Sequence, residues 1–205
     1  MKIKSPFLFT VAAGCLLSSV IVCLPILSAE EAQATKTAKL PFAIYVEKGS
    51  ASNHYAASGW MGNTKGVKVD EGWANNPHGG KKSCLRVEYS DAGDWAGIVW
   101  QDPANDWGEQ PGGWNLKGAK KLKFWARGEK GGENVNFKFG ILGADKKYSD
   151  TASGETGETK LTKEWKEYTI DLEGKDLSRI KTGFVWSLAG QGAPVVFFLN
   201  DIRYE

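Results

Sequence analysis

Short alternations of hydrophobic and polar residues run through the chain from residue 42 to its end. In the first of them, Phe42, Ile44 and Val46 alternate with Ala43 and Tyr45. A period of two places successive side chains on opposite faces of a strand, so such a stretch predicts a strand with one buried face. Similar strand patterns occur at residues 67–70, 85–89, 96–101, 121–127, 135–139, 168–172, 184–187 and 195–204.

About nine strands with glycine-rich connections, and no helical period of useful length, predict an all-β protein. We expect an antiparallel β-sandwich, or jelly roll, built as one domain over residues 41–205. No internal repeat or linker interrupts this range, and residues 178–181 offer one turn of helix at most. Two longer polar loops, residues 50–62 and 143–160, separate the predicted strands.

One stretch, residues 94–114, departs from the simple alternation. It reads DWAGIVWQDPANDWGEQPGGW and holds four of the nine tryptophans, with short amides, carboxylates and glycines between them. Indole rings can cover the apolar face of a sugar while short polar side chains satisfy its hydroxyls. Any one of these indoles could instead fill the core, but three of the four lie beside Gly, Pro or Asp in expected turns. The stretch as a whole therefore predicts a sugar-binding surface.

The N-terminus predicts export rather than a part of the fold. Lys2 and Lys4 precede an apolar run over residues 7–26, and small residues end at Ala29 before Glu30. This is the charged, apolar and small-residue order of a signal peptide, here residues 1–29. We expect cleavage after Ala29, with Ala34 as the second choice, and a disordered leader over residues 30–40. The mature protein is then secreted, or held in the periplasm or cell envelope.

Two other interpretations of this segment stay open. The apolar run is long enough to remain as an uncleaved membrane anchor, and Cys15 could carry a lipid. Lipidation at Cys15 would leave the apolar residues 16–27 at the start of the mature chain, which argues against it.

Removal of the signal peptide changes the balance of charge and cysteine. The chain has 26 basic and 24 acidic residues, and loss of Lys2 and Lys4 leaves 24 of each. A neutral mature protein has no electrostatic attraction to nucleic acid or an anionic membrane. Of the three cysteines only Cys84 remains, which excludes an intramolecular disulfide. We expect Cys84 to be a small buried hydrophobe.

The motifs of common enzyme sites are missing from the sequence. It has no Gly-x-Ser-x-Gly elbow, no His-Glu-x-x-His pair and no phosphate-binding glycine loop. A small glycan hydrolase or lyase that uses Asp102 and Asp106 stays open as an alternative, because paired carboxylates need closeness only in space. Aspartates in loops more commonly cap turns, so we expect no catalysis.

Several motifs occur in order along the chain: SGWMG at 58–62, WAGIVWQ at 95–101, FWARG at 124–128, LTKEW at 161–165 with YTIDL at 168–172, and FLNDI at 198–202. Together they resemble the non-catalytic carbohydrate-binding modules of the galactose-binding-domain-like jelly-roll superfamily, over residues 42–205. The resemblance implies a sugar site on a concave sheet face or at a loop edge. It also implies a structural calcium ion between the first and last strands, with Glu47 and Asp201 as ligands. Asn200 stands where related modules commonly carry an aspartate.

The leading hypothesis is a secreted, non-catalytic protein that binds a polysaccharide or oligosaccharide. An envelope adhesion protein that contacts another protein is the alternative besides the enzyme. We expect a monomer, with neither nucleic acid nor membrane as partner of the mature form. The candidate sugar contacts are aromatic and polar side chains of three regions: His54, Tyr55 and Trp60; Trp95, Trp100, Asn105, Asp106, Trp107 and Trp114; and Trp125 and Arg127.

Overall fold

Strands account for most of the regular structure in the computed structural model, which describes residues 35–205. The predicted signal peptide lies outside the described residues. Two short 3-10 turns occur at Thr64–Gly66 and His78–Gly80. The strands are β1 (Lys36–Thr37), β2 (Phe42–Tyr45), β3 (Ala56–Gly62), β4 (Val67–Trp73), β5 (Cys84–Tyr89), β6 (Trp95–Gln101), β7 (Trp114–Asn115), β8 (Lys121–Gly128), β9 (Asn134–Phe139), β10 (Gly154–Lys160), β11 (Lys166–Asp171), β12 (Thr182–Ala189) and β13 (Val195–Tyr204).

Two antiparallel sheets form a sandwich, which confirms the predicted fold class. The first sheet has the order β10-β9-β12-β6-β3, and the second has the order β11-β8-β13-β5-β4 with β2 also paired to β13. The β2–β13 ladder joins the first long strand to the last one, with Ile202 opposite Tyr45. Strands β3 and β4 are therefore the edges of different sheets, although they are neighbours in the chain.

The core lies between the sheets and follows the alternation of each strand. In β6, Ala96, Ile98 and Trp100 belong to the core cluster, so Gly97 and Val99 point away from it. Phe124 of the second sheet packs edge-on against Phe184 of the first, and against Phe137. Cys84 is buried as predicted, and burial raises the pKa of its thiol to about 11.

The sequence prediction differs from the structure in two places. Strand β1 lies within the predicted disordered leader: Lys36 pairs with Trp114 of β7, and its ammonium lies 2.8 Å from the Asp102 carboxylate. Strand β10 occupies part of the predicted loop 143–160. It is an edge strand of polar and charged residues, a composition that edge strands tolerate and that hides their period.

Candidate functional site

A row of side chains crosses the outer face of the first sheet. Its members lie directly opposite one another through four successive ladders, one from each strand. We call it the outer row. It consists of Met61 (β3), Gly97 (β6), Ser187 (β12), Asn136 (β9) and Glu158 (β10). Gly97 and Ser187 are the small members of the row, and the Met61 methyl group lies over Gly97, since a Cβ added there would come within 2.9 Å of Met61 Cε.

Three members of the outer row, Asn136, Glu158 and Ser187, line a groove of about 420 Å³, which we call the outer groove. Trp95 lines it and is 47% exposed. The place of its ring depends on Gly62, because a Cβ added there would come within 2.9 Å of the ring atom Cδ2 of Trp95. A positive φ of 68° at Gly62 favours glycine for a second reason. The remaining lining residues are Asn134, Val135, Leu188, Ala189, Gly190 and Gln191.

Polar groups of β9 and the β12–β13 turn stand on the other side of the groove from Trp95. Asn136 Nδ2 donates to Glu155 Oε2 at 2.9 Å, while Asn136 Oδ1 accepts no hydrogen bond within residues 35–205. The Asn136 amide and then Lys138 lower the pKa of Glu155. Gln191 is held against the backbone of Asn134 by bonds at 2.9 and 3.0 Å. The groove thus combines one exposed indole with oriented donors and acceptors, which is the chemistry that sugar recognition requires.

The opposite end of the same outer face is covered. Val99 and Val185 lie opposite each other and point outward, yet both are buried. Gln101 is buried as well, and its Nε2 donates to the Asp106 carbonyl at 2.8 Å. Residues 102–113 therefore pack back against the end of β6, and part of this loop lines a separate cavity of about 310 Å³ together with Lys36.

Asp106 organises this loop from a buried position. Its carboxylate forms an ion pair with Lys181, which is itself buried, and accepts the backbone N–H groups of Gly108, Glu109 and Gln110. Burial alone would raise the pKa of Asp106, but Lys181 and the backbone donors lower it overall. All of these donors are within the protein, so a contact of Asp106 with a sugar hydroxyl stays a prediction that these partners do not support.

Two predicted sugar contacts are core residues instead. Trp100 is 2% exposed and packs edge-on against Phe184. Tyr55 is buried, and its hydroxyl donates to the Ile180 carbonyl at 2.7 Å. Neither residue lines the outer groove, and a role for either in sugar binding stays a prediction.

His54 and Trp114 belong to an aromatic cluster near β1 and β7. The His54 ring stacks on Phe42 with 4.2 Å between centroids, and Trp114 lies 4.7 Å from Phe42. His54 Nδ1 also lies 2.9 Å from the Ala43 carbonyl oxygen. The contacts of both predicted residues are therefore made within the fold.

Asn105 and Trp107 lie in the loop of residues 102–113, which follows β6, whereas Trp95 is the first residue of that strand. Six residues of extended chain separate Trp95 from Gln101, or roughly 20 Å. The exposed Asn105 donates its backbone N–H to Ser58 Oγ, and Trp107 is half-buried. The structure therefore does not bring these two residues to the outer groove.

Trp125 and Arg127 lie on the outer face of the second sheet, on the far side of the sandwich. His78 stacks on Trp125 with centroids 3.7 Å apart, and the Arg127 guanidinium lies 3.7 Å from the Phe198 ring. Burial lowers the pKa of His78. Trp165 completes this layer, and its Nε1 donates to the Asn76 carbonyl at 3.0 Å. The predicted sugar residues thus divide among several surfaces, with only Trp95 on the outer groove.

The contacts of Glu47 and Asp201 do not fit the calcium site that the resemblance implies. Glu47 Oε2 accepts the Lys82 N–H at 2.8 Å, and the Asp201 carboxylate pairs with Arg203. Asn200 is buried between the strands, and its Nδ2 donates to the carbonyls of Val46 at 2.8 Å and Ser83 at 3.3 Å. Within residues 35–205 no group of three His, Cys, Asp or Glu side chains is arranged to hold a metal.

The sequence prediction missed the polar side of the outer groove. Asn136, Glu158 and Ser187 occupy outward positions, and Asn136 alternates with buried phenylalanine and valine. Their period marks them as solvent-facing, but it does not show that β9, β10 and β12 are neighbours. Met61 lies in the SGWMG motif at residues 58–62, which gives no indication of its place in the outer row.

Comparison with solved structures finds β-sandwich carbohydrate-binding modules. A family 30 carbohydrate-binding module matches with a TM-score of 0.55 and 17% identity, over 82% of this chain and 99% of that one. The family 30 module of the cellulosomal cellulase Cel9D-Cel44B of Clostridium thermocellum gives 0.53 and 16%, over 82% and 98%. The family 11 module of Lic26A-Cel5E from the same organism gives 0.52 and 14%, over 82% and 95%.

These matches establish a shared fold over nearly the whole described chain. No family model matches the sequence, and no curated protein matches it either. None of the helices in residues 35–205 has the length and apolar character to cross a membrane.

Proposed function

We propose that the protein binds a polysaccharide or oligosaccharide in the outer groove without acting on it chemically. The observation that carries this proposal is the outer groove, where three polar members of the outer row lie beside an exposed indole. Trp95 offers a flat apolar face, and Asn136, Glu158 and Ser187 offer hydroxyl partners along one line. Sugar binding by the structural neighbours, which are carbohydrate-binding modules by name, supports the same assignment.

The outer groove favours an internal segment of a glycan chain over a chain end. Its lining includes row members of three adjacent strands, β12, β9 and β10, so the groove runs across these strands. The two faces of a sugar ring differ from each other in polarity. A glycan chain in the groove can therefore stack its apolar face on Trp95 and direct its hydroxyls toward β9. The groove volume of about 420 Å³ lies within the usual range of about 300–1,000 Å³ for ligand sites.

The enzyme alternative is disfavoured by the state of its proposed carboxylates. A glycosidase acid needs a raised pKa to hold a proton near neutral pH. Asp106 has a lowered pKa because of Lys181 and the backbone donors around it. Asp102 is paired with Lys36 and accepts the Gly113 N–H at 3.2 Å. Neither residue lines the outer groove.

Export belongs to the proposal as well. A polysaccharide ligand outside the cell requires that the protein reach it, and residues 1–29 have the order of a signal peptide. We propose that the mature protein acts outside the cytoplasm as a monomer.

The test is affinity electrophoresis and titration of the purified protein against a panel of soluble polysaccharides. We expect the parent to bind one class of backbone linkage and Trp95→Ala to lose at least about tenfold in affinity. Trp165→Ala removes the same side chain from the layer on the outer face of the opposite sheet and serves as the matched control. A folded Trp95→Ala protein with the parent's affinity for every bound glycan would refute the site.

The same panel separates the alternatives. Release of reducing ends that disappears in Asp102→Asn would favour the hydrolase or lyase. Saturable binding to a partner protein, with no glycan bound, would favour the adhesion protein.

A further inference from the structure

Trp60 is exposed at a place the outer groove does not reach. Within residues 35–205, Trp60 and Trp95 are the two exposed large hydrophobic side chains, at 44% and 47%. Trp60 lies opposite Ile98, a core residue, whereas its neighbour Met61 lies opposite Gly97 in the outer row. Consecutive residues of a strand point to opposite faces. Trp60 therefore faces the interior side of the first sheet, at its open edge.

This edge opens into a second cavity, which we call the lateral cleft. Its volume is about 360 Å³, and it lies where β3 and β4, the edge strands of the two sheets, face each other without pairing. Ala57 and Trp60 line it from β3, and Val69 lines it from β4. Ile98 and Trp100 contribute to its apolar inner side. A gap between two edges of a sandwich thus exposes a flat indole beside apolar groups.

Polar side chains of both signs surround the mouth of the lateral cleft. Lys48, Asp70 and Glu71 are exposed and line it. Asp70 Oδ1 accepts the Gly72 N–H at 2.8 Å, which fixes the carboxylate. The Glu71 carbonyl accepts the Tyr45 hydroxyl at 3.1 Å and anchors that backbone. No ion pair within residues 35–205 engages Lys48 or Glu71, so their charged ends remain available to a ligand.

We infer that the lateral cleft is a second carbohydrate site, which takes a neutral sugar unit on the Trp60 ring. The inference rests on the proposed function of the outer groove. A neutral polyol suits the mixture of one ammonium and two carboxylates, whereas the carboxylates would repel a phosphorylated or acidic ligand. An isolated exposed aromatic is ordinary on a protein surface. Trp60 and Trp95 differ from such isolated residues because each of them lines a cavity of its own.

The two sites face different sides of β3, so one short oligosaccharide cannot occupy both. Two segments of a long polysaccharide, or two separate chains, can do so. Simultaneous binding then raises the apparent affinity for the polymer through a high local concentration of the second segment. The protein would also join neighbouring chains.

The test uses a short oligosaccharide of the linkage that the parent binds, titrated by calorimetry and by the indole N–H signals of an NMR spectrum. We expect two bound ligands per parent chain, and one each in Trp60→Ala and Trp95→Ala. We expect the Trp60→Ala protein to lose about tenfold in affinity for the long polymer, while its outer groove keeps the parent's affinity for the oligosaccharide.

A second variant protects the test against misfolding. Glu71→Ala changes an exposed side chain without a packing role, and we expect it to weaken the second site alone. Melting curves of all variants serve as the folding control.

The outcomes separate the two proposals. One ligand per parent chain, lost in Trp95→Ala and unchanged in both Trp60→Ala and Glu71→Ala, would overturn the second site and leave the outer groove intact. A parent that binds no glycan would overturn the proposed function. One ligand that survives in Trp95→Ala and is lost in Trp60→Ala would support the lateral cleft and refute the outer groove.

Discussion

Residues 94–101 and residues 102–114, the second of which we call the covered part, differ in the partners that their side chains have within the protein. The first part begins β6 and presents Trp95 to the outer groove, where no aromatic or cationic partner from residues 35–205 contacts its ring. In the second part, Asp106 binds Lys181, and Trp114 packs on Phe42. The two parts have similar composition. Their difference shows that aromatic and acidic content marks a binding surface only where the fold leaves those groups without partners.

The largest expected effect comes from removing the cation that pairs with the covered part. Lys181→Met leaves Asp106 buried without its ion-pair partner, and we expect the free energy of unfolding to fall by about 3–5 kcal/mol. Chemical denaturation measures the change. The exposed Lys65→Met serves as the control and should stay within about 0.5 kcal/mol of the parent. An unchanged stability of Lys181→Met would show that the loop is not held by this pair.

Trp114→Ala tests the contrast between the two parts directly. Loss of its packing on Phe42 and His54 should lower the free energy of unfolding by about 2–3 kcal/mol. Glycan affinity should remain within about twofold of the parent, since Trp114 lies far from the outer groove. Trp95→Ala should give the reverse pattern, with weaker binding and little change in stability. If Trp114→Ala instead weakens binding at parental stability, the covered part contributes to the site.

Acid should lower the free energy of unfolding, because protonation of Asp106 weakens its ion pair with Lys181 in the covered part. The folded-state pKa of Asp106 is lowered from 3.8, so its contribution to stability is complete above that value and is lost as the pH falls through the folded pKa. The difference in unfolding free energy between about pH 6 and about pH 3 measures this loss.

Asp106→Asn is the matched variant and should show a flatter pH dependence than the parent. Parallel curves would contradict the role of Asp106. Five other carboxylates with a lowered pKa add equally to the pH dependence of unfolding in the parent and in the variant. They are Glu88, Asp91, Glu155, Asp176 and Glu205.

The smallest expected effect is that of calcium. Because the Asn200 amide already donates to the Val46 and Ser83 carbonyls, EDTA should leave both the melting temperature and the glycan affinity of the parent unchanged. Asn200→Asp should lose stability and recover part of it with calcium, since a carboxylate facing two carbonyls offers oxygen ligands to a hard cation. A parent melting temperature that drops in EDTA would restore the predicted calcium site.

The sequence carried enough information for the sandwich and for one member of its site. The period of two in β2, β5, β8 and β9 predicts those strands, because each has one apolar and one polar face. Strand β6 is harder, since its outward Val99 is as apolar as its inward Ile98. Whether Val99 meets solvent depends on the return of residues 102–113 over it, which is a tertiary contact.

The polar half of the site could not be predicted for a related reason. Asn136 and Ser187 lie far apart in the chain and become neighbours only through the β9–β12 ladder. The buried Lys181 left no clear local signal, because Arg179 lies two residues before it and Thr182 and Gly183 follow it. Its partner Asp106 is far away in sequence, so the pair itself was not visible.

The outer row also acts as a ruler. The part of the row that lines the outer groove, together with Trp95, spans four adjacent strands about 4.7–4.9 Å apart, so this part has a fixed length of roughly 14 Å. An oligosaccharide shorter than this leaves some of that length uncovered, and each added sugar unit should strengthen binding until the length is spanned. Further extension of the chain should then add nothing at this site, and the degree of polymerisation at that plateau reports the length of this part of the row.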